Sequence, residues 1–237
     1  MPFFFRINKV KIIDNKESGF LFFIKDRAEL KFNSMIVTGD SKFPQIEPFR
    51  KSLNEKTRDP SADQAFATSI VNQIISQRSL ITIDSIRDNQ TITFGDTGYV
   101  LHQSFNMPQD LHWCLLAIED DQAIRDFGQT VQTVVGSTGF ADFTKSLATL
   151  IGSIPDPSFA VGMAAIRFIS GIVATSLKNN KNDMAGLLYM SLNQYEHYPH
   201  GERSSKKVPD LTGNMLVDYS LFGFNNEPPR HFPKRLP

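Results

Sequence analysis

His112-Trp113-Cys114-Leu115-Leu116-Ala117-Ile118-Glu119-Asp120-Asp121 decides the fold class, because the hydrophobic period changes inside it. Up to Ile118 the residues form an unbroken apolar run of strand length, which reads as a buried strand. After Asp121, Ile124, Phe127, Val131 and Val134 recur at helical spacing. The acidic residues at the switch sit where a helix macrodipole favours them. Sheet gives way to helix at Glu119, and an α+β protein is expected.

Strand patterns extend upstream. Ile81–Ile86 and Thr91–Phe94 alternate around Arg87-Asp88-Asn89-Gln90, which predicts a hairpin. Tyr99–Ser104 leads through Pro108-Gln109-Asp110 into the Trp113 strand, and the four together predict an antiparallel meander. Residues 3–13 and 20–24 predict two strands, and Ala28–Thr38 a third. Pro44, Pro48 and Pro60 punctuate a charged surface loop over 40–60. Ser61 with Gln64 forms a capping-box pattern for a helix reaching Gln77, with Phe66, Ile70 and Ile74 on one face.

Downstream, Phe140, Phe143, Leu147 and Leu150 mark a further helix, and Asp156-Pro157 opens another from about Ser158 to Leu177. Gly186–Leu192 and Asn214–Phe222 return to strand. This order predicts one antiparallel β-sandwich domain over residues 1–224, with a helical insertion of about three helices at about 119–178. Residues 225–237 carry four prolines with Arg230, Phe232, Lys234 and Arg235, which predicts an extended basic arm suited to docking on another protein.

The N-terminal strand, the Asp-bearing loops and a count of about eight strands resemble a C2-type sandwich over the strand-forming part of the chain. The paired aspartates two apart in one loop that would bring calcium with that resemblance are missing here.

Composition narrows the function classes. Hydrophobic residues make up 41% and charged residues 21% of 237, a globular balance. Lys+Arg and Asp+Glu are both 25, so bulk charge does not draw the chain to nucleic acid, and near-zero charge favours self-association or a standing protein partner. The single cysteine, Cys114, excludes an intramolecular disulfide and fits a reducing compartment. The apolar start Met1-Pro2-Phe3-Phe4-Phe5 ends too early for a signal-peptide core, so cytoplasmic synthesis is expected, with leaderless export left open.

Candidate chemistry is sparse. Glu196-His197-Tyr198-Pro199-His200 is the densest set of metal-ligand types, with Glu196, His197 and His200 as the ligands, although a tight protein-binding loop is the better reading of it. Asp84/Asp88, Asp120/Asp121 and Asp183 with Asp210 are acidic pairs that turns also favour. Gly139–Ser146 approaches a phosphate-binding loop but has Thr144 where the second glycine belongs, and reads as helix. The segment from Phe159 to Ala174 is apolar almost all round, with Arg167 near its centre. Buried, it is a core helix; released with its neighbour as a hairpin over 140–177, it is a membrane-active element led by Phe159, Ile166, Arg167 and Ile169.

No nucleophile elbow or cofactor motif occurs, and no cofactor is expected. The sequence thus points to a non-enzymatic protein-binding or assembly module within a larger complex. A membrane-active, toxin-like effector and a hydrolase with a loop-assembled site stand as alternatives.

Overall fold

A computed structural model describes residues 2–15, 27–53, 59–119, 135, 138–178 and 184–223. The expected strand at 20–24, the expected helix of Ile124 to Val134, Asp120, Asp121, Asp183 and the arm at 225–237 lie outside the described residues.

The Trp113 run becomes β6 (Asp110–Glu119), and its burial pattern explains its composition. Leu111, Trp113, Leu115 and Ala117 face one core, while Cys114, Leu116 and Ile118 face a second. A strand covered on both faces has no polar side to alternate, so it reads as continuous apolar sequence. β6 pairs antiparallel with β2 (Ala28–Thr38) on one side and with β7 (Met184–Asn193) on the other. β3 (Ser79–Ile86) adds to β2 and completes a four-stranded sheet in the order β3-β2-β6-β7.

The second sheet is built on β1 (Phe3–Ile12). β9 (Met215–Phe222) flanks β1 and carries β8 (Glu202–Pro209) outside it. On its other side β1 pairs with both β4 (Thr91–Thr93) and β5 (Tyr99–Ser104). The apolar phase of β1 slips from Phe3, Phe5, Ile7 to Val10, Ile12. The register against β9 shifts between Ile7 and Lys9, so a bulge at Asn8 keeps all five side chains inward.

The two sheets share one core, in which Phe5 meets Trp113 edge-on at 4.9 Å and Tyr219 packs against both. Trp113 is fully buried and donates its indole N–H to Ser34 Oγ at 2.9 Å. Ser34→Ala leaves that donor without its acceptor and is expected to cost about 1–2 kcal/mol in urea melts. A change within error would mean that the indole finds another acceptor.

Helices cover the outer face of the β6 sheet. They are α1 (Ile46–Ser52), α2 (Pro60–Ser76), α3 (Thr138–Ser153) and α4 (Ser158–Lys178). Ile70 of α2, Leu147 of α3 and Ile169 of α4 share a core with Met35, Val37, Cys114 and Leu116. Between β6 and β7 the described residues form α3 and α4, and both later segments are strands, β7 in one sheet and β9 in the other. The protein is α+β, and among the described residues nine strands form two antiparallel sheets with helices on one outer face.

Four local expectations are corrected. β3 and β4 are not a hairpin, because β3 pairs with β2 and β4 with β1 in the other sheet. Their connecting turn bonds to the end of β1 instead, with Asn89 N–H donating to Ile13 O at 3.0 Å and Ile12 N–H to Gln90 O at 3.0 Å. The meander fails for the same reason: β3 and β6 lie in one sheet, β4 and β5 in the other. The loop expected over 40–60 contains α1, which seats Ile46 and Phe49 in the helical core, where Phe49 stacks on Phe66. The cap of α2 is Asp59, whose carboxylate accepts from Ser61 N–H at 2.8 Å with Pro60 opening the helix; Ser61 is not the cap.

Candidate functional site

β7 ends at Asn193, which turns the chain by capping a one-turn helix, α5 (Gln194–His197), through an acceptor bond from Tyr195 N–H. The Asn193 amide donates to Asp110 Oδ1 at 2.6 Å, and Gln194 N–H donates to Gln109 O at 2.7 Å. Tyr198 is fully buried and donates its hydroxyl to Pro108 O at 2.6 Å; burial and then the Asp110 charge push its phenol above the ordinary range. The β7–β8 connection is thus tied at three points to the β5–β6 connection.

The end of β9 joins the same knot. Gly201 N–H donates to Tyr198 O at 2.9 Å, and Gly223 N–H donates to Gly201 O at 2.7 Å. Gly201 has φ +82°, and a Cβ there would collide with the Gly223 carbonyl. Only glycine lets these backbones meet. Gly39 N–H donates to Asp110 O at 2.9 Å, which brings the exit of β2 to this end as well.

On this braced end two large side chains stand in solvent: Phe105 is 90% exposed and Tyr195 is 73% exposed. Phe105 also walls a shallow hollow of about 220 Å³ with Pro2, Gln103 and Ser104. Sequence reasoning missed both aromatics. Phe105 offered a signal, as an aromatic among turn formers in Ser104-Phe105-Asn106-Met107-Pro108. Tyr195 offered none.

The proposed metal ligands lie near this end without converging on one point. His197 Nδ1 accepts from Asn193 N–H at 3.1 Å and lies 4.0 Å from Glu196 Oε2. His200 instead lines a separate groove of about 670 Å³ with Arg6 and Glu202, where the Arg6 guanidinium lies 4.5 Å from the Phe222 ring centre. Among the described residues no three His, Cys, Asp or Glu side chains gather as a metal-holding group.

Asp88 accepts from Asn15 N–H at 2.8 Å, and Asp210 is saturated by donors of its own chain. Gly139–Ser146 lies in α3, where Phe140 and Phe143 pack against Phe168. Cys114 is buried, and that burial pushes its thiol up to about 12, opposed by the neighbouring Tyr189 and Ser170 hydroxyls. It is a protonated core side chain at neutral pH.

α4 is long and apolar enough over Ser158–Thr175 to cross a membrane. Ile166 and Ile169 are fully buried in the helical core, Phe159 is partly buried against it, and Arg167 is exposed. No protein-family model and no curated protein matches this chain.

Proposed function

We propose that this chain is a non-enzymatic protein-binding or assembly module that contacts its partner through the end carrying Phe105 and Tyr195. The observation that carries this reading is the exposure of two aromatic side chains, 90% and 73%, on connections hydrogen-bonded to one another. Aromatic side chains dominate the binding energy of interfaces, and a rigid platform loses little entropy when it presents them. The scaffold resembles a C2-type sandwich in presenting loops at the ends of two antiparallel sheets. Gly223 sits at this same end, so Arg230, Phe232, Lys234 and Arg235 extend the contact in this reading.

The test is the double variant Phe105→Ser/Tyr195→Ser against Leu211→Ser, which alters another exposed apolar side chain, at the opposite end. Cross-linked partners from the native source, or a second copy seen by light scattering, should bind the double variant at least about tenfold more weakly. Leu211→Ser should bind as the parent does. Equal binding by the double variant, or equal loss in both, overturns the proposal.

A further inference from the structure

The outer face of β6 and β7 carries a polar group where the rest of that face is apolar. His112 and Ser191 are directly opposed across the two strands, and so are Cys114 and Tyr189. Above them runs α4 with Arg167. Together His112, Arg167, Tyr189, Met190 and Ser191 line a cavity of about 340 Å³, within the range of small-molecule sites.

Two of these side chains have unmet bonding capacity. His112 is only 2% exposed; its Nδ1 lies 2.8 Å from Ser191 Oγ, while its Nε2 is buried with no hydrogen-bond partner. An unsatisfied buried ring nitrogen is costly, and a polar atom left so in a lined cavity points to a missing ligand. Arg167 is exposed and has no carboxylate partner among the described residues. Ser191 is exposed at the rim, where its hydroxyl lies against His112 Nδ1. Tyr189 lies directly opposite Cys114 across the strands, and its ring stacks on His112 at 5.9 Å.

We propose that this cavity binds a small organic acid through its carboxylate, with Arg167 supplying the charge and His112 Nε2–H a further hydrogen bond. The ring is neutral at physiological pH, because burial first and the Arg167 charge second hold His112 down to about 4. A neutral imidazole that accepts from the Ser191 hydroxyl at Nδ1 carries its one proton on Nε2, and is therefore a donor facing no acceptor. One guanidinium matches one carboxylate in charge and in its two-pronged geometry. A phosphate dianion calls for a second cation, and among the described residues neither a lysine nor another arginine lines the cavity. The Tyr189 ring supplies an apolar wall for the body of the acid.

The probes are benzoate, its neutral isostere benzamide, and inorganic phosphate, titrated into the full chain and followed by imidazole ¹⁵N shifts and by calorimetry. Benzoate should bind and move the His112 Nε2 resonance; benzamide should not. Arg167→Gln should weaken benzoate at least about tenfold, while leaving the melt unchanged because the side chain is exposed. Arg167→Lys, which keeps the charge but not the fork, should fall between. Failure of benzoate to bind, equal binding of benzamide, preference for phosphate, or full binding by Arg167→Gln each overturns the proposal.

Discussion

Replacing Asp210 with alanine is expected to remove about 4 kcal/mol of stability, a large share of what a domain of this kind has in hand. The carboxylate closes the β8–β9 turn by accepting from Thr212 N–H at 3.1 Å, Thr212 Oγ1 at 2.5 Å, Asn214 N–H at 2.9 Å and Met215 N–H at 2.9 Å. It also reaches across to the other sheet, where Leu187 N–H of β7 donates to it at 2.7 Å. Asp210 is 7% exposed and Asn214 likewise, so water cannot readily replace the lost acceptor.

Hydrogen bonds to a charged group are worth about 1.5–3 kcal/mol each, and leaving several buried N–H groups unpaired adds their desolvation cost, without full additivity. The damage spreads because the same turn fastens the end of β1. Asn214 donates to Asp14 O and to Ala185 O, both at 2.7 Å, and accepts from Asp14 N–H at 2.9 Å. Asp210→Asn keeps the shape but puts an amide among donors, and should recover only part of the loss. Urea melts of both variants decide this. A deficit below about 1 kcal/mol for Asp210→Ala would show that the turn holds without its carboxylate.

Asp210 also marks the limit of what the sequence discloses. From the sequence it is one acidic residue in a turn, as fit for a cation as for a hydrogen-bond knot. Only the register of β7 beside the turn brings Leu187 N–H to it and takes up its lone pairs. The same division runs through the fold. Long elements with a clear period, β2, β6, β9 and α4, are legible because burial imprints itself on every residue along them. The β3–β4 hairpin is misread because alternation reports that a segment is a strand and not which sheet it joins. Asp88 and Asn89 look like a hairpin turn locally, and it is the end of β1 that captures the backbone groups of that turn.

Sites follow the same logic. The Phe105 and Tyr195 connections are far apart in sequence and are brought together by the pairing of Asp110 with Asn193. The His112 cavity is harder still to foresee. His112 stands at the head of an apolar run and Arg167 within an apolar helix, so each looks like a lone polar residue to be tolerated. Their shared cavity exists only because α4 lies across β6 and β7.

Acid should destabilise this protein well above the range in which carboxylates titrate, and His112 should account for much of the effect. Its imidazole is held to about 4 when folded and returns to about 6.5 when the chain unfolds. Between those values the unfolded chain binds the proton and the folded chain does not, so stability rises with pH through this window. Above about pH 6.5 the contribution is complete; on descending to about pH 4.5 the shift removes about 2.5 kcal/mol, an upper figure for a ring beside an open cavity. His102 is also lowered by burial, against the pull of Asp40, and adds a loss of the same sign. His112→Asn retains a polar group next to Ser191 while deleting the titration. In urea melts from about pH 7.5 to about pH 4.5, its stability should fall less than the parent's by about 2 kcal/mol. Arg167→Gln should lie between the two, because the guanidinium is the second cause of the depressed ring and burial the first. Parallel pH profiles for the parent and His112→Asn would mean that the folded ring takes up its proton as readily as the unfolded one.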